Sequence, residues 1–309
     1  DIYRKYLPSS QANFMKVNLE GNYLGLYVNT QSVDGQFLNQ HFDENDGAFF
    51  KCDPAAQFGQ PAAGHSNLEW LGEDTTLYYN HYTIKSDYGW AELVELIGAI
   101  NSPLFPMDSI LNVDRVLWAF AVNTVLLNLD TYNGLFQHNY YLYQSGDGLF
   151  QMIPWDLTET FVAALLNFNE NIDELYEYDP YAGYNSWWKP LCYNLVGDGA
   201  SALHRKVYNA HIRTVMEESL NISIIESKVD QLQNLVANAA LSDMNQLFGS
   251  QQYYTNVDAP FIIPNVFATA GILPSIEARA SYLSGLSELS GIPPTVLHSD
   301  VSHIGDSAF

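Results

Sequence analysis

The residues with the strongest claim to chemistry lie in one stretch, 128–161, which reads NLDTYNGLFQHNYYLYQSGDGLFQMIPWDLTETF. Asp130 stands where a helical pattern breaks, Asn139 opens a hairpin pattern, and Asp156 closes it. A hairpin brings its two ends together, so Asn139 and Asp156 are expected side by side, with Asp130 on the loop just upstream. Three oxygen-bearing side chains converging at one hairpin end can hold a hard divalent cation, with one Asp left to orient a nucleophile. The bland alternatives are a turn-capping Asp156, a helix-ending Asp130 and an Asn139 that only satisfies backbone groups. His138 reads as a structural neighbour rather than a ligand.

Other motifs carry less. The cluster Asp43-Glu44-Asn45-Asp46-Gly47 fails the EF-hand spacing, because Gly47 falls at a ligand position and no closing Glu follows, so it reads as a turn. Gly197-Asp198-Gly199-x-x-Ala202 mimics a dinucleotide fingerprint, but no βαβ unit surrounds it, and it is expected to cap a helix near 200. His298 and His303 lie in a polar tail expected to be a flexible end. No Gly-x-Ser-x-Gly elbow or His-Glu-x-x-His is present, so the common hydrolase classes lack local support. The tyrosines within ELYEYDPYAGY (174–184) and at 252–254 either form a recognition surface or pack against helices. Asn221-Ile222-Ser223 is a glycosylation sequon, a short pattern that chance often produces.

The elements that must position these residues follow from hydrophobic periodicity. Residues 14–20 alternate, Gly21-Asn22 reads as a turn, and 23–28 return as the second strand of a hairpin. A short helix is expected over 33–42, a strand over 48–52, and a loop over the Pro- and Gly-rich 53–66. From about residue 87 the period becomes helical, with Trp90, Leu93, Val94, Ile97 and Ile100 on one face. A second helical rhythm runs from Val113 to Leu127, before the hairpin 138–156. Beyond 185 the pattern reads as helices throughout, at about 200–219, 222–247 and 274–289. This is an α+β chain, a β-rich part (1–86) before a larger helical part (87–309) with the hairpin embedded in it.

Composition narrows the partners. The chain has 309 residues, with 12 Lys+Arg against 35 Asp+Glu and a net charge of −23. A field of that sign repels phosphate backbones and anionic lipid heads, which argues against nucleic-acid and membrane-surface binding. It favours divalent cations and a basic protein partner, and it suits a salty or extracellular setting. At 47% apolar residues the chain is globular. No stretch reaches the roughly 18 apolar residues of a membrane span. Position 1 is Asp and no signal peptide is present, so the chain reads as processed or as a piece of something longer. Cys52 and Cys192 pair if the protein is secreted and stay free if it is cytosolic.

The Asp–hairpin–Asp topology also matches the logic of a protein-kinase site, where a loop Asp orients the substrate hydroxyl and an Asn and a further Asp bind metal. The ordinary kinase spacing leaves four residues between the first Asp and the Asn, whereas here eight intervene. Several segments carry a closer resemblance: NYLGLYVNTQSVDGQFL at 22–38, DGAFFKCD at 46–53, AVNTVLLNLDTYNGLFQHNYYLY at 121–143, FQMIPWDLTETF at 150–161, and more weakly the Arg279-Ala280-Ser281-Tyr282-Leu283 segment. The chain resembles the spore coat protein H (CotH) kinases, which are atypical secretory protein kinases.

That resemblance implies a single two-lobed, atypical kinase-like domain over 1–309, with its small lobe incomplete on the N-terminal side. It implies Asp130 as the catalytic Asp, Asn139 and Asp156 as the metal pair for Mg²⁺ or Mn²⁺, and ATP as phosphate donor to Ser or Thr of a secreted or surface partner. Lys51 and Lys16 are the β-rich part's lysines near these motif segments, and either could reach a nucleotide phosphate, with Lys51 taken as the nucleotide-binding candidate. The chain departs from the family pattern at two positions. Thr158 stands where the family has the second Asp of Trp-Asp-x-Asp, and Gln31 stands where it has Glu after the Gly-x-Tyr strand. These departures, with the missing front segment, support a second expectation: a non-catalytic extracellular binding, adhesion or structural-assembly protein on the same fold.

Overall fold

The computed structural model describes residues 1–54, 64–102, 104–162, 172–182, 188–246, 248–263 and 267–290. It is mixed α and β, 43% helical and 15% strand, as the α+β expectation requires. The expected first hairpin forms from β1 (Ala12–Leu19) and β2 (Asn22–Thr30), paired antiparallel. Its loop is Glu20-Gly21, at φ 51° and 84°, one residue earlier than the expected Gly21-Asn22. Two consecutive positive φ values are what a tight two-residue hairpin turn demands.

The second sheet positions the candidate site. Its order is β4 (Thr83–Ile84), β3 (Phe49–Cys52), β5 (Tyr140–Gln144), β6 (Phe150–Pro154), all antiparallel. Side chains alternate faces along a strand, and both faces here are apolar. Phe49, Tyr141, Tyr143 and Ile153 pack under helix α1 (Gly35–Phe42), with Phe37 and Leu38. Phe50, Cys52, Tyr140, Leu142, Phe150 and Met152 face the main core, which includes α2 (Trp90–Asn101) and α3 (Val113–Val125). A sheet covered on both sides explains why its strands read as nearly continuous apolar runs. Helix α1 starts where the Asp34 carboxylate accepts the Gln36 and Phe37 amides at 3.0 and 3.1 Å, and it ends at Asp43, whose φ of 59° reverses the chain. Asp43–Gly47 is thus the irregular connection from α1 to β3, bent at Asp43 and Gly47.

The remaining elements are α4 (Ile172–Tyr176), α5 (Pro190–Leu195), α6 (Ala202–Ser219), α7 (Ile222–Leu241), α8 (Ser250–Thr255), the short hairpin β7 (Phe261–Ile263) and β8 (Phe267–Thr269), and α9 (Ile272–Gly285). The expectation of helices throughout beyond 185 is thus corrected by the β7–β8 pair. Helix α7 also stops at Leu241 rather than 247, because Asp243 is taken by the first hairpin. Its carboxylate accepts the Leu26 amide at 3.0 Å, and Gly25 leaves no side chain where a Cβ would meet that carboxylate at 2.6 Å. The cap of α6 is Ser201, whose hydroxyl accepts the His204 amide at 3.0 Å, rather than the Gly197–Gly199 segment. Asn221 is exposed and caps α7 by accepting the Ile224 amide.

Cys52 and Cys192 are both free and buried. Of the first tyrosine cluster, Tyr176 and Tyr181 are buried in packing. Positions 183 and 184, loop positions 55–63 and the tail with His298 and His303 lie outside the described residues. No helix among the described residues is long and apolar enough to cross a membrane.

Candidate active site

The loop after α3 is built before its carboxylate is aimed. Asn123, inside α3, accepts the Tyr3 hydroxyl at 2.8 Å and donates to Asn133 at 2.9 Å, while Asn133 donates to the Phe120 carbonyl at 3.2 Å. These buried amides pin 128–133 against the helix they follow. Buried polar groups must be paired, so a satisfied network of this kind specifies one loop conformation. Gly134 closes the loop: a Cβ there would meet the Leu129 carbonyl at 2.1 Å. The Gly134 carbonyl accepts the buried Lys189 ammonium, and burial holds the Lys189 pKa below its ordinary value.

Asp130 emerges from this loop and meets the entrance of β5. Asn139 Nδ2 donates to both the Asp130 carbonyl and Asp130 Oδ2, each at 3.0 Å. The other carboxylate oxygen, Oδ1, is in short contact with His138 Nε2. Across the hairpin the Trp155 amide donates to the Asn139 carbonyl at 3.0 Å, which sets Asp156 one residue beyond Asn139's partner. Asn139 and Asp156 both adopt left-handed backbone, at φ 59° and 47°. Asn and Asp are the non-glycine types that tolerate this region best. The Thr158 hydroxyl donates to Asp156 Oδ1 at 2.6 Å.

Asp130, Asn139 and Asp156 thus occupy the end of one hairpin, as their spacing implies, with Asp130 and Asn139 in direct contact. Lys51 lies on the α1 face of β3, and its ammonium is 2.7 Å from Asp53 Oδ2. Asp53 Oδ1 lies 3.6 Å from His138 Nδ1, an ion-pair separation rather than a hydrogen bond. Burial by itself would lower the His138 pKa, but the Asp130 and Asp53 carboxylates outweigh it and raise the ring to about 9. The His138 ring lowers Asp53 most, burial opposes it, Lys51 adds to it, and the carboxyl settles at about 2. His138 is therefore a charged bridge between two carboxylates.

Beside this cluster, on the same α1 face of the sheet, is a cavity of about 440 Å³. Phe49, Tyr141 and Trp155 give it aromatic walls, and Lys85 and Ser86 give it a polar side. Trp155 directly precedes Asp156, so the cavity adjoins the end of the hairpin. Sequence reading gave no role to Asp53, Lys85 or Trp155. The alternation Phe49, Lys51, Asp53 would have placed the first two on one face, but nothing local shows that His138 lies opposite.

The donors suit a hard cation. Asn139 turns its amide nitrogen to Asp130, so the atom it could offer a metal is Oδ1, and Asp156 keeps Oδ2 beyond its bond to Thr158. Among the described residues no group of three or more His, Cys, Asp or Glu side chains is arranged to hold a metal. Two oxygen donors fit the way Mg²⁺ is held, by one or two protein groups with waters and substrate phosphates completing the shell.

Over 158 residues the chain is 28% identical to the inner spore coat protein H of Bacillus subtilis (strain 168), a match covering 50% of this chain and 42% of that protein. The match thus spans less than half of the relative's length. Residues 4–260 match the family described as CotH kinase protein, a span that contains the whole Asp130–Asp156 unit and the sheet beneath it. On that match the chain belongs to the CotH kinase protein family.

Proposed function

We propose that this chain is a kinase-like phosphotransferase that binds ATP with Mg²⁺ or Mn²⁺ and transfers the γ-phosphoryl group to Ser or Thr of a protein partner. The observation that carries the reading is the oriented Asp130–Asn139 pair, one residue from Trp155-Asp156, beside a cavity walled by aromatic rings. In this reading the β-rich part and the helical part form the two lobes of an atypical kinase fold. The purine stacks in the cavity against Trp155, and Lys85 offers its charge to the phosphates. Asn139 Oδ1 and Asp156 would hold the cation, which would supply positive charge to the phosphates. Asp130, fixed at both oxygens, orients the acceptor hydroxyl and takes its proton as the new O–P bond forms and the β–γ bond breaks. The charge of −23 steers basic partners toward the protein. The relative's name, an inner spore coat protein, supports a coat- or surface-associated setting.

A second reading, a non-catalytic binding or assembly protein, is favoured by one observation: Thr158, standing where the family has the second Asp, offers a neutral hydroxyl that donates to Asp156 Oδ1 at 2.6 Å. A thermal-shift titration with ATP, with and without Mg²⁺ or Mn²⁺, on this chain and on Asp156→Ala separates the two. Ligand at about 100 Kd stabilises a binder by ~2.7 kcal/mol, so a metal-dependent rise of Tm that disappears in Asp156→Ala supports the kinase reading. No rise in the folded wild type would sink it.

A further inference from the structure

We propose that Lys51, Asp53 and His138 form a positioning relay for Asp130, which makes Lys51 part of the catalytic support rather than a phosphate ligand. The inference rests on the reading of Asp130 as the residue that orients the acceptor hydroxyl. Four side chains from three separate segments meet in sequence: Lys51 Nζ to Asp53 Oδ2 at 2.7 Å, Asp53 Oδ1 to His138 Nδ1 at 3.6 Å, and His138 Nε2 in short contact with Asp130 Oδ1. All four are partly withdrawn from water, with side-chain exposures of 24–32%. Their mutual attraction is therefore screened less than on an open surface.

The geometry assigns a task to each member. An imidazole ring is aimed by whatever its far nitrogen meets, and Asp53 stands at that nitrogen. Two carboxylates flanking one ring would carry excess negative charge, and Lys51 balances Asp53 from the other side. Of the two Asp130 carboxylate oxygens Asn139 engages only Oδ2, so His138 is what holds Oδ1. Because Lys51 lies in β3 and Asp53 directly follows it, while Asp130 follows α3, the relay ties the four-stranded sheet to the Asp130 loop. Removing an outer member should therefore leave nucleotide binding intact and disturb only the aim of Asp130.

The test uses the full chain and the variants Asp53→Asn, Lys51→Met and His138→Gln, each checked for a wild-type-like circular dichroism spectrum. Phosphate transfer from labelled ATP to histone, a basic protein acceptor, is measured with Mg²⁺. Each variant is expected to lose kcat by about 10- to 100-fold, the usual effect of removing an orienting partner, with the KM for ATP nearly unchanged. Should Asp53→Asn not fold, Lys51→Met carries the same expectation from the far end of the relay. A KM for ATP that rises tenfold in Lys51→Met but not in Asp53→Asn overturns the proposal and makes Lys51 a phosphate ligand. Unchanged kcat in all three also overturns it. If the wild type transfers no phosphate, the kinase reading fails, and the relay is judged by proton NMR alone. The low-field ring N–H signal lost in His138→Gln should then shift in Asp53→Asn, and an unmoved signal refutes the relay.

Discussion

Asn139 Nδ2 lies 3.0 Å from both the backbone carbonyl and the carboxylate Oδ2 of Asp130, so a single amide holds the loop and aims its side chain. Asn139 does this from a left-handed backbone at φ 59°. The two demands can be separated by substitution. Asn139→Ala loses both hydrogen bonds and places an ordinary Cβ in a disfavoured region, and should cost about 2–4 kcal/mol. Asn139→Gly loses the same bonds but accepts the backbone, and should be less destabilising by about 1 kcal/mol. Urea denaturation of the two variants measures the difference. An alanine variant as stable as the glycine variant would show that the positive φ carries no strain.

Trp155 and Asp156 are neighbours with different expected tasks. Base stacking on an aromatic side chain is worth ~1–3 kcal/mol, so Trp155→Leu should weaken ATP binding on the order of 5- to 100-fold, with or without metal. Asp156→Asn should leave metal-free ATP binding alone and abolish only the gain from Mg²⁺. Calorimetric titration of ATP in EDTA and in Mg²⁺ distinguishes them. Equal losses under both conditions for Asp156→Asn would contradict the metal assignment.

These positions also show what was legible in the sequence. The hairpin 139–156 and its flanking Asn and Asp were readable because strand periodicity and turn chemistry are local signals. The first hairpin, α1 and β3 were readable for the same reason. Asp53 was not, because its place beside His138 depends on the register that pairs Cys52 with Tyr140, strands far apart in the chain. The helical pattern of α7 runs on past its true end, which is set by Asp243 reaching back to β2, a tertiary contact that its own sequence does not announce. The β7–β8 pair was missed because three-residue strands give too short a run for alternation to stand out.

Acid should destabilise the protein through His211. Its ring stacks on Trp118 at 3.7 Å between centroids. Burial lowers its pKa, although Asp114, 2.8 Å away, pulls in the opposite direction. A depressed folded pKa means that the unfolded chain binds the proton first. The corresponding stability is intact above the unfolded value near 6.5 and falls as pH drops through it. The loss of Tm between pH 7.5 and 5 should therefore be smaller in His211→Gln than in the wild type. Taking the difference between the two proteins removes the contributions of the other histidines. Parallel Tm curves would mean that His211 is not a source of the acid sensitivity.

Arg279 carries the largest structural prediction away from the site. It is buried in α9, where Nε donates to the Thr124 carbonyl at 2.9 Å and Nη1 donates to the Tyr176 and Tyr178 carbonyls at 2.9 and 2.7 Å. One guanidinium thereby satisfies the end of α3 and the segment after α4, which packs behind the Asp130 loop. Burial lowers its pKa to about 10, so it remains charged at neutral pH. Arg279→Met would leave two buried carbonyls and one part-buried carbonyl without their donor, each lost bond to a charged group being worth about 1.5–3 kcal/mol. Non-additivity brings the expected total to roughly 3–5 kcal/mol. Arg279→Lys keeps the charge but has a single ammonium in place of a planar fork, and cannot reach carbonyls in three directions with the same geometry. It should recover less than half of the loss. Urea unfolding of both variants measures this, and a lysine variant as stable as the wild type would show that charge, rather than the fork, is what the site requires.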